Sequence, residues 1–133
     1  MPLRRLEKTT RRIARALERL GRGKPDRRAL VVAFISDAES ERLNRRFLKK
    51  PGPATVLSFD YPAAAEIVLA PAFIQKRALR SGVPFARALE RLIAHGAVHL
   101  AGYHHELSRA QAHRFEQLER ELLTRLKIPN PKL

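Results

Sequence analysis

Three histidines, His95, His99 and His105, have a spacing that suits metal binding. A four-residue step on a helix places His95 and His99 on the same face, one turn apart. Gly102 then offers a turn that lets His105 swing back toward them. Imidazole nitrogen binds zinc and its neighbours in the first transition row, and three protein ligands leave one coordination position for water or substrate. The spacing therefore predicts a metal site that performs chemistry.

The same spacing, H-x-x-x-H-x-x-G-x-x-H, occurs in the metzincin zinc proteases. Those enzymes place a glutamate directly after the first histidine as the general base, whereas this chain has Gly96 there. Proteolysis is therefore not the expected reaction. His104 adjoins the third ligand and is a further candidate for metal binding or acid–base work, with simple solvation as the alternative. His113, on a polar helix face, is interpreted as structural or incidental.

The charge of the chain indicates a polyanionic partner. The formal net charge is +14, and the first 50 residues hold 16 Lys and Arg against 6 Asp and Glu, so most of the excess lies there. So basic a small domain favours nucleic acid as the partner. A solvated basic helix face is the alternative, and acidic lipid is a distant third.

Length and composition limit the remaining classes. A chain of 133 residues is expected to form one domain, with a basic N-terminal helix region over residues 1–28 and a flexible tail over residues 128–133. The absence of cysteine excludes disulfides, thiolate metal sites and cysteine nucleophiles. No apolar run approaches the roughly 20 residues that cross a bilayer, and no signal-peptide core follows the basic N-terminus. We therefore expect a soluble, cytoplasmic protein without a membrane partner.

Apolar periodicity and turn residues predict an α+β domain with helices layered around one small sheet. The run 29–35 is short, continuous and β-branched, which predicts a strand covered on both faces. Ser36 and Glu39 have the spacing of a capping box at a helix start. The predicted helices cover residues 6–20, 37–47, 71–80, 84–99 and 108–126, and the predicted strands cover 29–35, 55–59 and 66–69.

Four stretches resemble the YbeY family of single-domain, metal-dependent endoribonucleases. The strongest is His-Gly-x-x-His-Leu-x-Gly-Tyr-x-His at 95–105. Leu43-Asn44, followed after a basic loop by Val-Leu-Ser-Phe at 56–59, is similar to the second motif of the family. Residues 66–69 fall at the family's Gly-Asp-Ile-Val-like strand, and residues 115–119 resemble its final helix. The resemblance spans about residues 29 to 126.

The resemblance implies a fold, a site and an activity. The fold would be a small mixed sheet packed by helices, with the three-histidine site at the end of a buried helix. His95, His99 and His105 would hold one divalent metal ion, for which zinc is the expected identity and nickel or another transition metal the alternative. The family activity is endonucleolytic cleavage of single-stranded RNA in ribosomal RNA maturation and ribosome quality control. RNA, as ribosomal RNA or a ribosomal subunit, would then be the partner.

The chain departs from the family pattern at three places. Leu48 stands where the family has an arginine, His104 where it has an aspartate, and Ala65-Glu66 where it has Gly-Asp. The candidate RNA-binding residues, any of which could supply the missing cation, are Arg45, Arg46, Lys49 and Lys50. A solvated basic loop is the alternative.

Metal-assisted phosphodiester cleavage is the expected mechanism, in which the ion polarises a phosphoryl oxygen or activates a bound water. A catalytically weak RNA- or ribosome-binding factor with a structural metal is the alternative, since Leu48 and His104 alter the site. A hydrolase of small molecules or peptides would leave the positive charge unexplained. Whether Glu66 or Asp60 approaches the metal, and the oligomeric state, stay open at this level.

Overall fold

The computed structural model describes residues 3–19, 29–62, 64–100 and 108–129, which form an α+β domain as predicted. Gly102, His104 and His105 lie outside these residues, as do residues 20–28 and the last four positions. The helices are α1 (Leu3–Arg19), α2 (Asp37–Leu43), α3 (Pro71–Ser81), α4 (Phe85–Leu100) and α5 (Arg109–Leu126), and a π-helical turn (Asn44–Leu48) follows α2. The strands are β1 (Ala29–Phe34), β2 (Val56–Asp60) and β3 (Ala64–Leu69).

The described sheet is mixed, with β3 in the centre and the strand order β1-β3-β2. β1 runs parallel to β3, whereas β2 runs antiparallel to it. In the antiparallel pair Ser58 stands opposite Ile67, and Phe59 stands opposite Glu66. Because successive side chains of a strand point to opposite faces, these two pairs lie on opposite sides of the sheet.

The expectation that β1 is covered on both faces is wrong. Val31 is 43% exposed and Phe34 is 46% exposed, although the strand itself forms as predicted. β1 lies at an edge of the described sheet, and α4 packs mainly beneath β2 and β3. A continuous apolar run indicates a strand, but it does not distinguish an edge position from a central one.

The hydrophobic core surrounds α4, which contacts α1, α3, α5 and the sheet. Leu89, Ile93 and Val98 of α4 are completely buried and pack in one cluster with residues of the other helices and β3. Each such side chain contributes about 1.5–3 kcal/mol to folding on area-burial grounds. In α1, Leu6 and Ile13 are buried, as their spacing predicts. The core thereby fixes the helix that carries His95 and His99.

The chain remains part of the core slightly beyond α5. Lys127 adopts a left-handed conformation with φ of 56°, and the backbone N–H of Ile128 donates to the carbonyl of Leu123. This arrangement is a helix C-cap in which an apolar residue folds back onto the helix. Ile128, which the sequence placed in the tail, is accordingly buried.

The start of α2 agrees with its capping signal, whereas its end does not follow α-helical geometry. The Ser36 hydroxyl accepts a hydrogen bond of 3.1 Å from the backbone N–H of Glu39. The α-helical hydrogen bonds stop at Leu43, and the predicted last turn is π-helical. Such turns are rare and often occur at functional sites.

No helix within the described ranges combines the length and apolar character needed to cross a membrane.

Candidate active site

His95 and His99 lie together near the C-terminal end of α4, one helical turn apart. Their ring centroids are 4.9 Å apart, and the ring planes are inclined by 76°. Both residues are partly exposed, although the surrounding helix is mostly buried. The two imidazoles therefore sit at the boundary between core and surface, where a ligand can reach them.

Phe115 of α5 packs against both imidazoles. Its ring centroid is 4.9 Å from that of His95 and 4.6 Å from that of His99. The Phe115 side chain is itself buried in the core. Because a closely packed neighbour restricts rotation, this contact holds the two histidines in defined orientations.

Glu119, one turn further along α5, contacts His95 directly. The distance from His95 Nδ1 to Glu119 Oε2 is 2.5 Å. Arg91 of α4 lies near the other carboxylate oxygen, with 3.7 Å between its Nη2 and Glu119 Oε1. Glu119 is buried, so its charge is neutralised by neighbouring groups rather than by bulk water.

The environment keeps Glu119 ionised. Burial by itself raises the pKa of this carboxyl, but the hydrogen bond from His95 and the charges of His95, Arg91 and His99 outweigh that effect. The pKa of Glu119 consequently lies below its usual value. An ionised carboxylate only accepts hydrogen bonds, so the proton in the contact is carried by His95 Nδ1.

The tautomer of His95 has a direct chemical consequence. When Nδ1 of a neutral imidazole carries the proton, the ring lone pair that can bind a metal is on Nε2. Histidines that bind metals commonly donate their other ring N–H to a carboxylate in this way. His95, oriented by Glu119, therefore has the chemistry of a metal ligand.

Sequence reasoning did not identify Glu119 in this role and left Glu66 and Asp60 open instead. Glu66 lies on the sheet face opposite to Ile67, whose side chain meets α4 at Gly96. One signal in the sequence did point to Glu119, because it interrupts the buried stripe of Phe115, Leu118 and Leu122. A charged side chain in such a stripe requires a partner.

Gly96, which replaces the expected general base of a protease, is required by close packing of α4 on the sheet. A Cβ atom at this position would lie 2.9 Å from Ser58 Oγ and 3.2 Å from Ile67 Cγ1. Ser58 Oγ also lies 3.4 Å from the Gly96 carbonyl oxygen. A side chain at this position would crowd Ser58 and Ile67, and the larger glutamate would displace both more than an alanine would.

Gly96→Ala is expected to lower the free energy of unfolding by about 1 kcal/mol. Crowding against Ser58 and Ile67 costs about 1–3 kcal/mol, while the better helix propensity of alanine offsets up to about 1 kcal/mol. Urea unfolding monitored by circular dichroism measures the change. Ser58→Ala/Gly96→Ala should recover part of the loss, because it removes the nearest atom. A single variant as stable as the wild type would contradict the packing argument.

The four candidate RNA-binding residues lie around the π-helical turn, and all are exposed. Arg45 forms an ion pair of 3.2 Å with Glu41 on the helix surface. Lys49 ends the turn in a left-handed conformation with φ of 57°. Arg46 and Lys50 complete this basic segment. The structure therefore presents all four cations at the surface of one short segment.

Two polar side chains of α2 and the π-helical turn hold the following loop in place. The Ser40 hydroxyl bonds to both the N–H and the carbonyl of Ala54, each at 3.0 Å. Asn44 Nδ2 donates to the carbonyl of Gly52 at 3.0 Å. Ser40 and Asn44 are both buried, so these bonds are shielded from water. They fix the basic loop relative to the start of β2.

Within the described ranges, no group of three His, Cys, Asp or Glu side chains is arranged to hold a metal ion. His104 and His105 fall outside those ranges, so the predicted third ligand is not located. His113 is exposed on α5. The described part of the site thus comprises His95 and His99 with the carboxylate of Glu119.

Comparison with known proteins places the chain in a family. A family model described as Endoribonuclease YbeY matches residues 1–127. The chain belongs to the YbeY family. Two relatives named Endoribonuclease YbeY, from Burkholderia cenocepacia and Chelativorans sp., are 37% identical over 108 residues and 38% identical over 117 residues. These alignments cover 77% and 80% of this chain, and 63% and 71% of the respective relatives.

A solved structure shares the fold of this chain. The solution structure of a Thermotoga maritima protein superimposes with a TM-score of 0.59 at 21% sequence identity. The match covers 96% of this chain and 87% of that protein. The chain spans 63% of the length of the Burkholderia cenocepacia relative.

Two of the three expected departures from the family pattern lie in the described ranges, whereas His104 lies outside them. Leu48, where the resemblance implies an arginine, belongs to the π-helical turn and is 52% exposed. Ala65 is buried in β3, and Glu66 is partly buried beside it.

Proposed function

We propose that this protein is a metal-dependent endoribonuclease that cleaves single-stranded segments of ribosomal RNA during ribosome maturation and quality control. The family membership of the chain supports an RNA-cleaving activity. We also propose that the protein is cytoplasmic and that it associates with ribosomal RNA or a ribosomal subunit.

The observation that carries the proposal is the contact between Glu119 and His95 Nδ1, with His99 one turn away. A carboxylate that accepts the Nδ1 proton of an imidazole places the metal-binding lone pair on Nε2. We propose His95, His99 and His105 as the ligands of one divalent ion, with zinc the expected identity and nickel or another transition metal the alternative. His104 stays a candidate for a fourth ligand or an acid–base group.

The bound ion would supply a Lewis acid and would lower the pKa of a water molecule toward about 7. The protein's own side chains would orient the ligands, balance charge and limit access of water. Glu119 holds the proton of His95 at Nδ1 and balances positive charge at the site, while Arg91 balances Glu119 in turn. Phe115 limits the access of water to one side of the imidazoles.

The basic segment would bind the RNA backbone. Arg45, Arg46, Lys49 and Lys50 are exposed, and such side chains bind phosphate by charge and hydrogen bonding. One of them would replace the family arginine that is Leu48 here. Phosphate contacts determine affinity and register but little sequence preference, so the shape of the RNA would select the cleavage position.

A second function is favoured by one observation, the exposed Leu48 in place of the family arginine. If that arginine is needed for the reaction, the protein would be an RNA- or ribosome-binding factor with a structural metal. Both functions require RNA binding, and turnover distinguishes them.

Chelation is expected to abolish RNA cleavage by the purified protein. The substrate is a ribosomal RNA fragment with a hairpin and a single-stranded end, resolved on a denaturing gel after incubation with excess protein. Cleavage should be confined to the single-stranded part, disappear with chelator and return when zinc or nickel is added, because an ion would activate the attacking water. Cleavage that resists the chelator would contradict metal dependence. Binding of RNA without any cleavage would support the binding factor.

A further inference from the structure

Three aromatic side chains form a row at the surface, outside the histidine site. The rings of Phe47 and Phe59 contact edge to face, with 5.4 Å between centroids and an interplanar angle of 73°. The rings of Phe59 and Tyr61 are stacked, with 6.0 Å between centroids and an angle of 15°. We call Phe47, Phe59 and Tyr61 the aromatic row. It joins the π-helical turn to the end of β2.

The aromatic row lies on the face of the sheet away from α4. Ser58 meets α4 at Gly96, so the alternation along β2 points Phe59 to the opposite face. Phe47 is 52% exposed and Tyr61 is 45% exposed. Two large rings that stay half exposed contribute little to the core. Their exposure is better explained by binding than by folding.

Basic side chains lie beside the Phe47 end of the aromatic row. The Arg46 guanidinium lies 5.4 Å from the centre of the Phe47 ring, within the range of a cation–π contact. Lys49 and Lys50 follow within three residues and are exposed. Glu66, opposite Phe59 on β3, is the carboxylate beside the middle of the row. The phosphates of a bound strand are therefore expected at the Phe47 end, away from Glu66.

We propose that the aromatic row is a base-stacking subsite for single-stranded RNA, with the adjoining cations binding the phosphates. This inference rests on the proposed function and adds a second surface of the protein that contacts the RNA. Every base has a π-face, so stacking on aromatic rings binds single strands with little sequence preference. Duplex bases are already stacked on one another and do not reach such rings, so the subsite selects unpaired RNA. A second copy of the chain is the competing occupant, but the cations would oppose its approach.

The test is the affinity of the full-length protein for a fluorescein-labelled oligoadenylate of 12 nucleotides, measured by anisotropy at several salt concentrations. Phe47→Leu/Tyr61→Leu removes two exposed rings but keeps apolar side chains. Leu79→Ala, at an apolar residue of α3 that is 72% exposed, is the matched control. Lys49→Gln/Lys50→Gln reports the phosphate contacts. An abasic oligonucleotide of the same length probes stacking with the wild-type protein. All binding measurements contain chelator, which is expected to prevent cleavage, and a gel verifies that each strand stays intact.

The ring variant is expected to bind the oligoadenylate at least about tenfold more weakly with an unchanged salt slope, since stacking is worth roughly 5- to 100-fold per base. The lysine variant should instead lower the slope by about 0.7 per removed charge. The abasic strand should bind the wild type about as weakly as oligoadenylate binds the ring variant, and Leu79→Ala should bind normally.

Equal affinity of the ring variant and the wild type would overturn the proposal, as would equal binding of the abasic strand. A wild-type dimer in sedimentation that the ring variant converts to monomer would also overturn it, because the row would then be an interface between copies. Cleavage is recorded in parallel on the same preparations. If the protein cleaves RNA but the ring variant binds as tightly as the wild type, only the stacking subsite is wrong. If the ring variant binds more weakly but the wild type does not cleave RNA, only the nuclease proposal is wrong.

Discussion

His99→Ala is expected to reduce RNA cleavage by about 100-fold or more and to lower the metal content of the purified protein. The substitution removes one of the three proposed ligands, and two imidazoles hold an ion poorly. Because His99 is only partly buried, the fold should survive, with a loss of about 1 kcal/mol from its contact with Phe115. Gel-based cleavage, elemental analysis and thermal unfolding measure the three quantities.

His113→Ala is the matched control for this substitution, because His113 is exposed on α5. It should retain metal, cleavage and stability at wild-type levels. Full metal content in the His99→Ala protein would show that the ligand assignment is wrong. Retained metal with loss of cleavage would instead give His99 a role in the reaction other than holding the ion.

Glu119→Gln is expected to weaken metal affinity by about 10- to 100-fold while the protein stays folded. Glutamine keeps the size of the side chain and its acceptor oxygen, but it removes the charge that makes His95 a better ligand. The Arg91 guanidinium would also lose the negative charge of Glu119 beside it. Competition with a chromophoric chelator measures the affinity of the protein for zinc without relying on activity.

Glu116→Gln provides the control, since Glu116 lies on the exposed side of the same helix and carries the same charge. Its metal affinity should equal that of the wild type. Wild-type affinity in the Glu119→Gln protein would mean that the carboxylate serves only to stabilise the packing of α4 and α5. Equal weakening in both variants would attribute the effect to net charge rather than to the contact with His95.

Much of the secondary structure was predictable because its signals are local. The Ser36 hydroxyl caps the N–H of Glu39 three residues away, and the apolar period of α5 places Phe115 and Leu118 in the core. The proximity of His95 and His99 is likewise a property of one helical turn. The predictions were wrong where contacts with distant segments determine burial. Val31 of β1 is exposed, although its strand was expected to be covered, and Ile128 after α5 is buried, although it was expected in the tail.

By itself, the sequence determined the α+β class, the helix that carries His95 and His99, and the basic segment of the chain. These features follow from apolar periodicity, helix caps and charge, which depend on residues close together in the sequence. The tertiary structure alone decided which carboxylate orients His95, because Glu119 is 24 residues away. It also decided why a side chain at position 96 is crowded, since Ser58, 38 residues away in the sequence, packs against Gly96. The aromatic row also depends on the tertiary structure, because Phe47 and Phe59 meet only when the π-helical turn packs against β2. Such contacts depend on how whole elements pack, which no local pattern specifies.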